Sequence, residues 1–98
     1  MGADFKNDLI DQLFESILLL EDKGECYKFF EDICTINEME SLAQRLEVAK
    51  MLNEGATYDE IVKKTGASTA TISRVKRYLN YGADGYKMIL SRLKEERV

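Results

Sequence analysis

The chain has no histidine, no proline and only two cysteines among its 98 residues. Without histidine it lacks both the commonest general base and the commonest metal ligand. Cys26 and Cys34 lie eight positions apart in a segment of helical pattern. On one helix that spacing is about 12 Å, too long for a disulfide. Neither has the cysteine or histidine neighbours that zinc requires, so both read as buried packing residues, and no metal or cofactor is expected. No apolar run approaches the roughly 18 residues of a membrane span, which excludes a helical membrane anchor. The opening MGADFKNDLI has no basic-then-apolar signal pattern, and its Gly2 context lacks the serine or threonine that myristoylation favours. A reduced, cytoplasmic protein is the expectation. The carboxylates, Glu38 and Glu40 among them, accompany no nucleophile or glycine-rich phosphate loop; they read as a solvated face, and no catalytic residue is expected.

What is present is enough for one small domain over residues 1–98, with 45 % hydrophobic and 33 % charged residues. A chain of this length buries roughly 60–65 % of its unfolded surface, so a lone core would be thin. The net charge of −4 mildly opposes nucleic acid, but its distribution does not. Residues 1–60 hold fifteen acids and five bases; residues 61–98 hold three acids and nine bases. Between Ile61 and Ala83 there is no acid, against Lys63, Lys64, Arg74, Lys76 and Arg77. Such a zone is either a solvated helix face or the electrostatic footprint of a polyanion.

Every long segment has helical periodicity, and no strand pattern appears. Leu9, Ile10, Leu13, Phe14, Ile17, Leu18 and Leu20 predict a first helix near 8–22, ended by Asp22-Lys23-Gly24. Tyr27, Phe29, Phe30 and Ile33 predict a second near 25–34. Thr35 with Glu38 forms a capping-box pattern ahead of a third helix, about 36–54, whose stripe is Met39, Leu42, Ala43, Leu46, Ala49 and Leu52. Gly55 stops it. A second box, Thr57 with Glu60, opens a short helix to Thr65, closed by Gly66. Ser68 can cap a fifth helix, about 69–80, with Ile72, Val75 and Leu79 inward; a turn at 81–85 leads to a last helix, about 85–96. The first two helices carry more apolar surface than the short C-terminal helices can cover. That surplus predicts a homodimer, against the alternative of a compact six-helix monomer. Residues 1–54 are then dimerisation helices, 57–80 a helix-turn-helix and 84–98 a C-terminal helix.

The helix-turn-helix reading rests on three coincident features. A short helix ends at a glycine able to take positive φ, a tight turn follows, and the next helix starts with small polar residues. Small residues let a helix N-terminus enter the major groove of double-stranded DNA. Thr69, Ala70, Thr71 and Ser73 are candidates for base edges and the thymine methyl, and Arg74 and Arg77 for phosphates or guanines. Ser68 and the first amides can bind a phosphate, with further phosphate contacts from Lys63, Lys64, Lys76 and Arg77.

The strings Leu42-Ala43-Gln44-Arg45-Leu46, Asn53-Glu54-Gly55 and Gly66-Ala67-Ser68-Thr69-Ala70-Thr71-Ile72-Ser73-Arg74 carry a resemblance. From Glu38 to about Leu90 the chain resembles the Trp repressor family, and is most similar to its YerC/YecD branch. The resemblance implies a six-helix, all-α fold, an intertwined homodimer with one helix-turn-helix per subunit, and action as a transcriptional repressor. It also implies an effector pocket: Arg45 and Arg74 match two arginines that sandwich the ligand's indole, and Thr35 matches a threonine of the pocket wall. Where the family has a glycine after the second arginine this chain has Val75, and where it has a small serine near the ligand's ammonium this chain has Tyr78. Both changes put bulk in the pocket, which disfavours tryptophan and leaves the effector unidentified. Arg45 has a second reading, as a helix arginine pairing with Glu38 or Asp59. Two other functions compete with a DNA-binding regulator: the recognition module of a transposase-like or sigma-like factor, and a helical adaptor using the acidic N-terminal half.

Overall fold

The computed structural model describes residues 6–96. Residues 1–5, which carry the leader and Gly2 readings, and residues 97–98, at the end of the C-terminal segment, lie outside the described residues. Among the described residues there are six helices and no strand. They are α1 (Asp8–Ile17), α2 (Lys23–Ile33), α3 (Ile36–Asn53), α4 (Tyr58–Thr65), α5 (Thr69–Tyr81) and α6 (Gly85–Glu96). No helix among them is long and apolar enough to cross a membrane. The chain divides between Ile36 and Asn37 into two compact units.

In the first unit, Asn7 caps α1 by accepting from the Ile10 amide at 2.9 Å. The helix stops at Ile17, five residues short of the expected end near residue 22. Its last amides tighten into three-residue bonds, Leu19 N to Ser16 O and Leu20 N to Ile17 O, both 3.1 Å. Asp22 does not end α1 but opens α2: its backbone is extended and its carboxylate accepts from the Glu25 amide at 2.8 Å. A side chain that satisfies an orphan amide at a helix start outcompetes continuation of the preceding stripe. Both cysteines are free and half-buried, Cys26 within α2 and Cys34 capping its C-terminal end, rather than fully buried as the sequence suggests. None of the described residues of this unit is buried, and Leu9 and Leu18 stand 79 % and 84 % exposed.

The second unit holds the buried core. Val48 and Ala49 of α3, Ile61 of α4, Ala67 of the connecting turn, Ile72, Val75 and Leu79 of α5 and Leu90 of α6 form one cluster. The expected inward stripe of α5 is therefore correct. That of α3 is only half correct: Ala49 of the stripe is buried, but so is Val48, which is outside it, whereas Leu42 is 48 % exposed and Leu46 lies at the surface. With apolar residues around much of its circumference, α3 presents one side to its own core and keeps another open. Beside that open side, α3 and α6 border a groove of about 770 Å³ lined by Ala43, Leu46, Lys50, Leu90 and Leu93.

Candidate nucleic-acid interface

The turn between α4 and α5 is fixed by bonds from every residue in it. The box expected at the start of α4 is complete: Thr57 Oγ1 accepts from the Glu60 amide at 3.2 Å, and Glu60 Oε1 accepts from the Thr57 amide at 2.8 Å. At the other end, Gly66 takes the left-handed conformation (φ 73°) and donates its amide to Val62 O at 2.8 Å. Thr65 Oγ1 donates back to Ile61 O at 2.8 Å and accepts from the Ala67 amide at 3.1 Å. Ala67 is buried, which pins the middle of the turn to the core. From α3, Gln44 Nε2 donates to Thr65 O at 3.0 Å and Glu47 pairs with Lys64 at 3.6 Å. The sequence offered no signal for the Gln44 bond, which joins residues 21 positions apart.

Ser68 caps α5 as expected, accepting from the Thr71 amide at 3.1 Å. Its hydroxyl proton goes to Thr71 Oγ1, also at 3.1 Å. One consequence concerns Ser68, whose proton is committed inside the protein. What the helix start offers an anion is therefore its outward amides, those of Thr69 and Ala70. The other consequence concerns Thr71: having accepted from Ser68, its hydroxyl still has its own proton to give. Thr71 presents a donor, suited to acceptors such as purine N7 or thymine O4.

The remaining candidates are accessible to a ligand. Lys63, Lys64, Ser68, Thr69, Ala70, Ser73, Arg74, Lys76 and Arg77 are exposed, and Thr71 is half-buried. Alternation with the buried Ile72, Val75 and Leu79 puts the polar and basic positions on the outer face of α5. Lys76 lies over the ring of Tyr58 with its ammonium 5.8 Å from the centroid, and Arg77 lies over Tyr78 at 5.5 Å. Tyr58 was not among the expected site residues, yet its phenol oxygen sits 3.3 Å from Ser73 Oγ.

The residues of the expected effector pocket are distributed differently. Thr35 belongs to the first unit; Arg45, half-buried, and Arg74, exposed, belong to the second. Arg45 Nε donates to Ser41 O on its own helix at 3.4 Å. Val75 is 2 % exposed and fills the core, so it offers a ligand almost no surface; the bulk expected there is absorbed by packing. Tyr78, 53 % exposed, remains as the bulky residue facing outward. Among the described residues no group of three or more histidine, cysteine, aspartate or glutamate side chains could hold a metal ion.

A helix, a tight glycine turn and a second helix with a polar outer face, carried on an all-α scaffold, define a helix-turn-helix protein. Comparison with known proteins makes this specific: the Trp repressor protein family matches residues 8–94, and the chain belongs to that family. It is 70 % identical over 86 residues to the uncharacterized protein YerC of Bacillus subtilis, covering 88 % of this chain and 83 % of that one. Among solved structures, it is similar to a provisionally named Trp repressor from Staphylococcus aureus, at 53 % identity and a TM-score of 0.91, covering 96 % of this chain and 94 % of the other. A TrpR-like protein from Eubacterium eligens gives 61 % identity and a TM-score of 0.89, covering 92 % and 93 %.

Proposed function

We propose that this protein is a sequence-specific DNA-binding transcriptional regulator, a repressor, that acts in the cytoplasm as a homodimer. The observation that carries the reading is the outer face of α5. Thr69, Ala70, Thr71, Ser73, Arg74, Lys76 and Arg77 sit beside a turn held by Gly66, Thr65 and Ser68, in a stretch without a single acid from Ile61 to Ala83. The start of α5 enters the major groove, where Thr69, Ala70 and Thr71 meet base edges. Lys63, Lys64, Lys76 and Arg77 neutralise phosphates, which sets affinity and its salt dependence. In this reading residues 57–80 bind DNA, residues 1–54 dimerise and residues 84–98 complete the subunit.

The homodimer is supported by apolar surface that a single chain leaves uncovered: Leu9, Leu18 and Leu19 in the first unit, and Leu42 with the groove between α3 and α6 in the second. The effector is not tryptophan. Tyr78 stands where the family's ligand needs a small hydroxyl, and its ring is stacked against Arg77.

Selection of bound sites from random duplexes tests the whole reading. The expected result is a palindromic site with half-sites about 34 Å apart or a multiple of that spacing. Failure to enrich any duplex, with capture of a protein partner through the acidic half instead, would favour the adaptor reading.

A further inference from the structure

Tyr58 occupies the first position of α4, where that helix meets α5. Its ring packs against the buried core, while its phenol oxygen reaches Ser73 Oγ at 3.3 Å on the exposed side of α5. Lys76, three residues beyond Ser73, holds its ammonium 5.8 Å from the centre of the same ring. A phenol and an alkyl hydroxyl from two helices therefore meet at the surface, with an ammonium seated over the phenol's ring. None of the three is needed to cap a helix, because Thr57 and Ser68 do that.

The geometry points to a backbone phosphate of duplex DNA as the ligand of this cluster, with Tyr58 as the residue that grips it; this rests on the DNA-binding reading above. The two hydroxyls carry two protons, and one is used in the bond between them. A phenol is a stronger acid than an alkyl hydroxyl, so it is the better donor to an anionic oxygen. Ser73 accordingly donates to the Tyr58 oxygen, and Tyr58 donates outward to the phosphate. Lys76 supplies the positive charge, and its seat over the ring keeps it near that point in the unbound protein. The cluster is built on α4 as well as α5, so gripping a phosphate there locks the angle of the recognition helix to the duplex. Contacts of this kind fix register without reading sequence.

The test measures binding of the full chain to its selected duplex and to duplexes with single base changes, across several salt concentrations. Tyr58→Phe keeps the packed ring and removes only the hydroxyl. It should weaken binding ~10-fold or more on every duplex alike, the size of one lost hydrogen bond to a charged group, with the ranking of duplexes and the salt slope unchanged. Lys76→Ala should instead flatten the salt slope by about one. Ser73→Ala should cost less than Tyr58→Phe, and the double variant no more than Tyr58→Phe alone. Wild-type affinity in Tyr58→Phe overturns the proposal while leaving DNA binding intact. So does a changed ranking of duplexes in Tyr58→Phe together with an equal loss in Ser73→Ala, because the pair would then merely prop up α5. A wild-type chain that binds no duplex overturns the DNA-binding reading and this inference with it.

Discussion

Thr71 is the position at which local geometry makes the sharpest statement about base reading. Its hydroxyl accepts from Ser68 Oγ at 3.1 Å, and its amide donates to the same Ser68 oxygen at 3.1 Å. Thr71→Val removes the hydroxyl but keeps the β-branched shape and the methyl available to a thymine methyl. The capping bond from the backbone amide survives, and Ser68 is exposed, so its released proton turns to water. Folding stability should therefore fall by no more than about 0.5–1 kcal/mol. Loss of a donor to a base edge should remove about 1–3 kcal/mol of discrimination at one base pair, roughly 5- to 150-fold. The assay is fluorescence anisotropy with the selected duplex and all single-base variants of each half-site, at fixed salt. Thr71→Val should flatten one position per half-site and leave the others alone, whereas Thr71→Ser should keep the wild-type preference. If Thr71→Val keeps every preference, or if Thr71→Ser loses as much as Thr71→Val, the hydroxyl is not the reader and the donor assignment is wrong.

The two glycines that flank α5 should respond unequally to alanine. At Gly66 an added Cβ meets nothing within 4 Å, so Gly66→Ala should cost only the left-handed backbone penalty, about 1–2 kcal/mol in denaturant unfolding. At Gly82 a Cβ would lie 2.4 Å from the Tyr78 carbonyl oxygen, so Gly82→Ala must shift backbone and should cost more than Gly66→Ala; the reverse order would refute the turn geometry. Light scattering at micromolar concentration should give twice the chain mass of 11.2 kDa, and a stable folded species at 11.2 kDa would refute the homodimer. Millimolar L-tryptophan should leave DNA binding unchanged, whereas Tyr78→Ser should gain measurable tryptophan binding by calorimetry; one tryptophan per subunit at micromolar affinity in the wild type would refute the steric argument.

The elements most legible from sequence were those whose ends are written in local chemistry. The Thr57–Glu60 box, the Gly66 stop and the Ser68 cap each satisfy orphan backbone groups within four residues, so residue types at fixed spacing suffice to locate them. The first helix was overextended because apolar periodicity continues through Leu18 and Leu20, while the competing signal, Asp22 capping the next helix, reads equally well as a terminator. On α3 the stripe through Leu42, Leu46 and Ala49 runs beside a further apolar position at Val48, and periodicity alone cannot say which of these its own chain buries. Val75 shows a different conflict. The stripe with Ile72 and Leu79 turned it inward, whereas the resemblance put it beside a ligand slot. The three- and four-residue steps of the stripe decide it, since a residue 2 % exposed has little surface left for a ligand. The contact of Gln44 with Thr65 was not legible, because it depends on how α3 lies against α4 rather than on any neighbour in sequence.

The same helix that leaves Leu42 and Leu46 open also holds α4 ahead of the Gly66 turn. Gln44 grips the last carbonyl of α4 and Glu47 pairs with Lys64, both within one turn of Leu46. The exposed ion pair contributes little, about 0–1 kcal/mol, and screening by salt reduces it further. The part-buried amide-to-carbonyl bond matters more, because removing it would leave the Thr65 oxygen without that donor one residue before the Gly66 turn. A second copy seated against the open side of α3 would therefore bear on the element to which α4 is tied. Any shift of α3 by such a partner reaches α4 through Gln44 and reaches α5 through the core that Val48 shares with Ile61, Ile72 and Val75. On the proposed reading, dimerisation and DNA reading would both be built on one helix: its open face would set where a second subunit stands, and its polar side chains hold the turn from which α5 starts. The spacing between two half-sites would then depend on α3 as much as on α5.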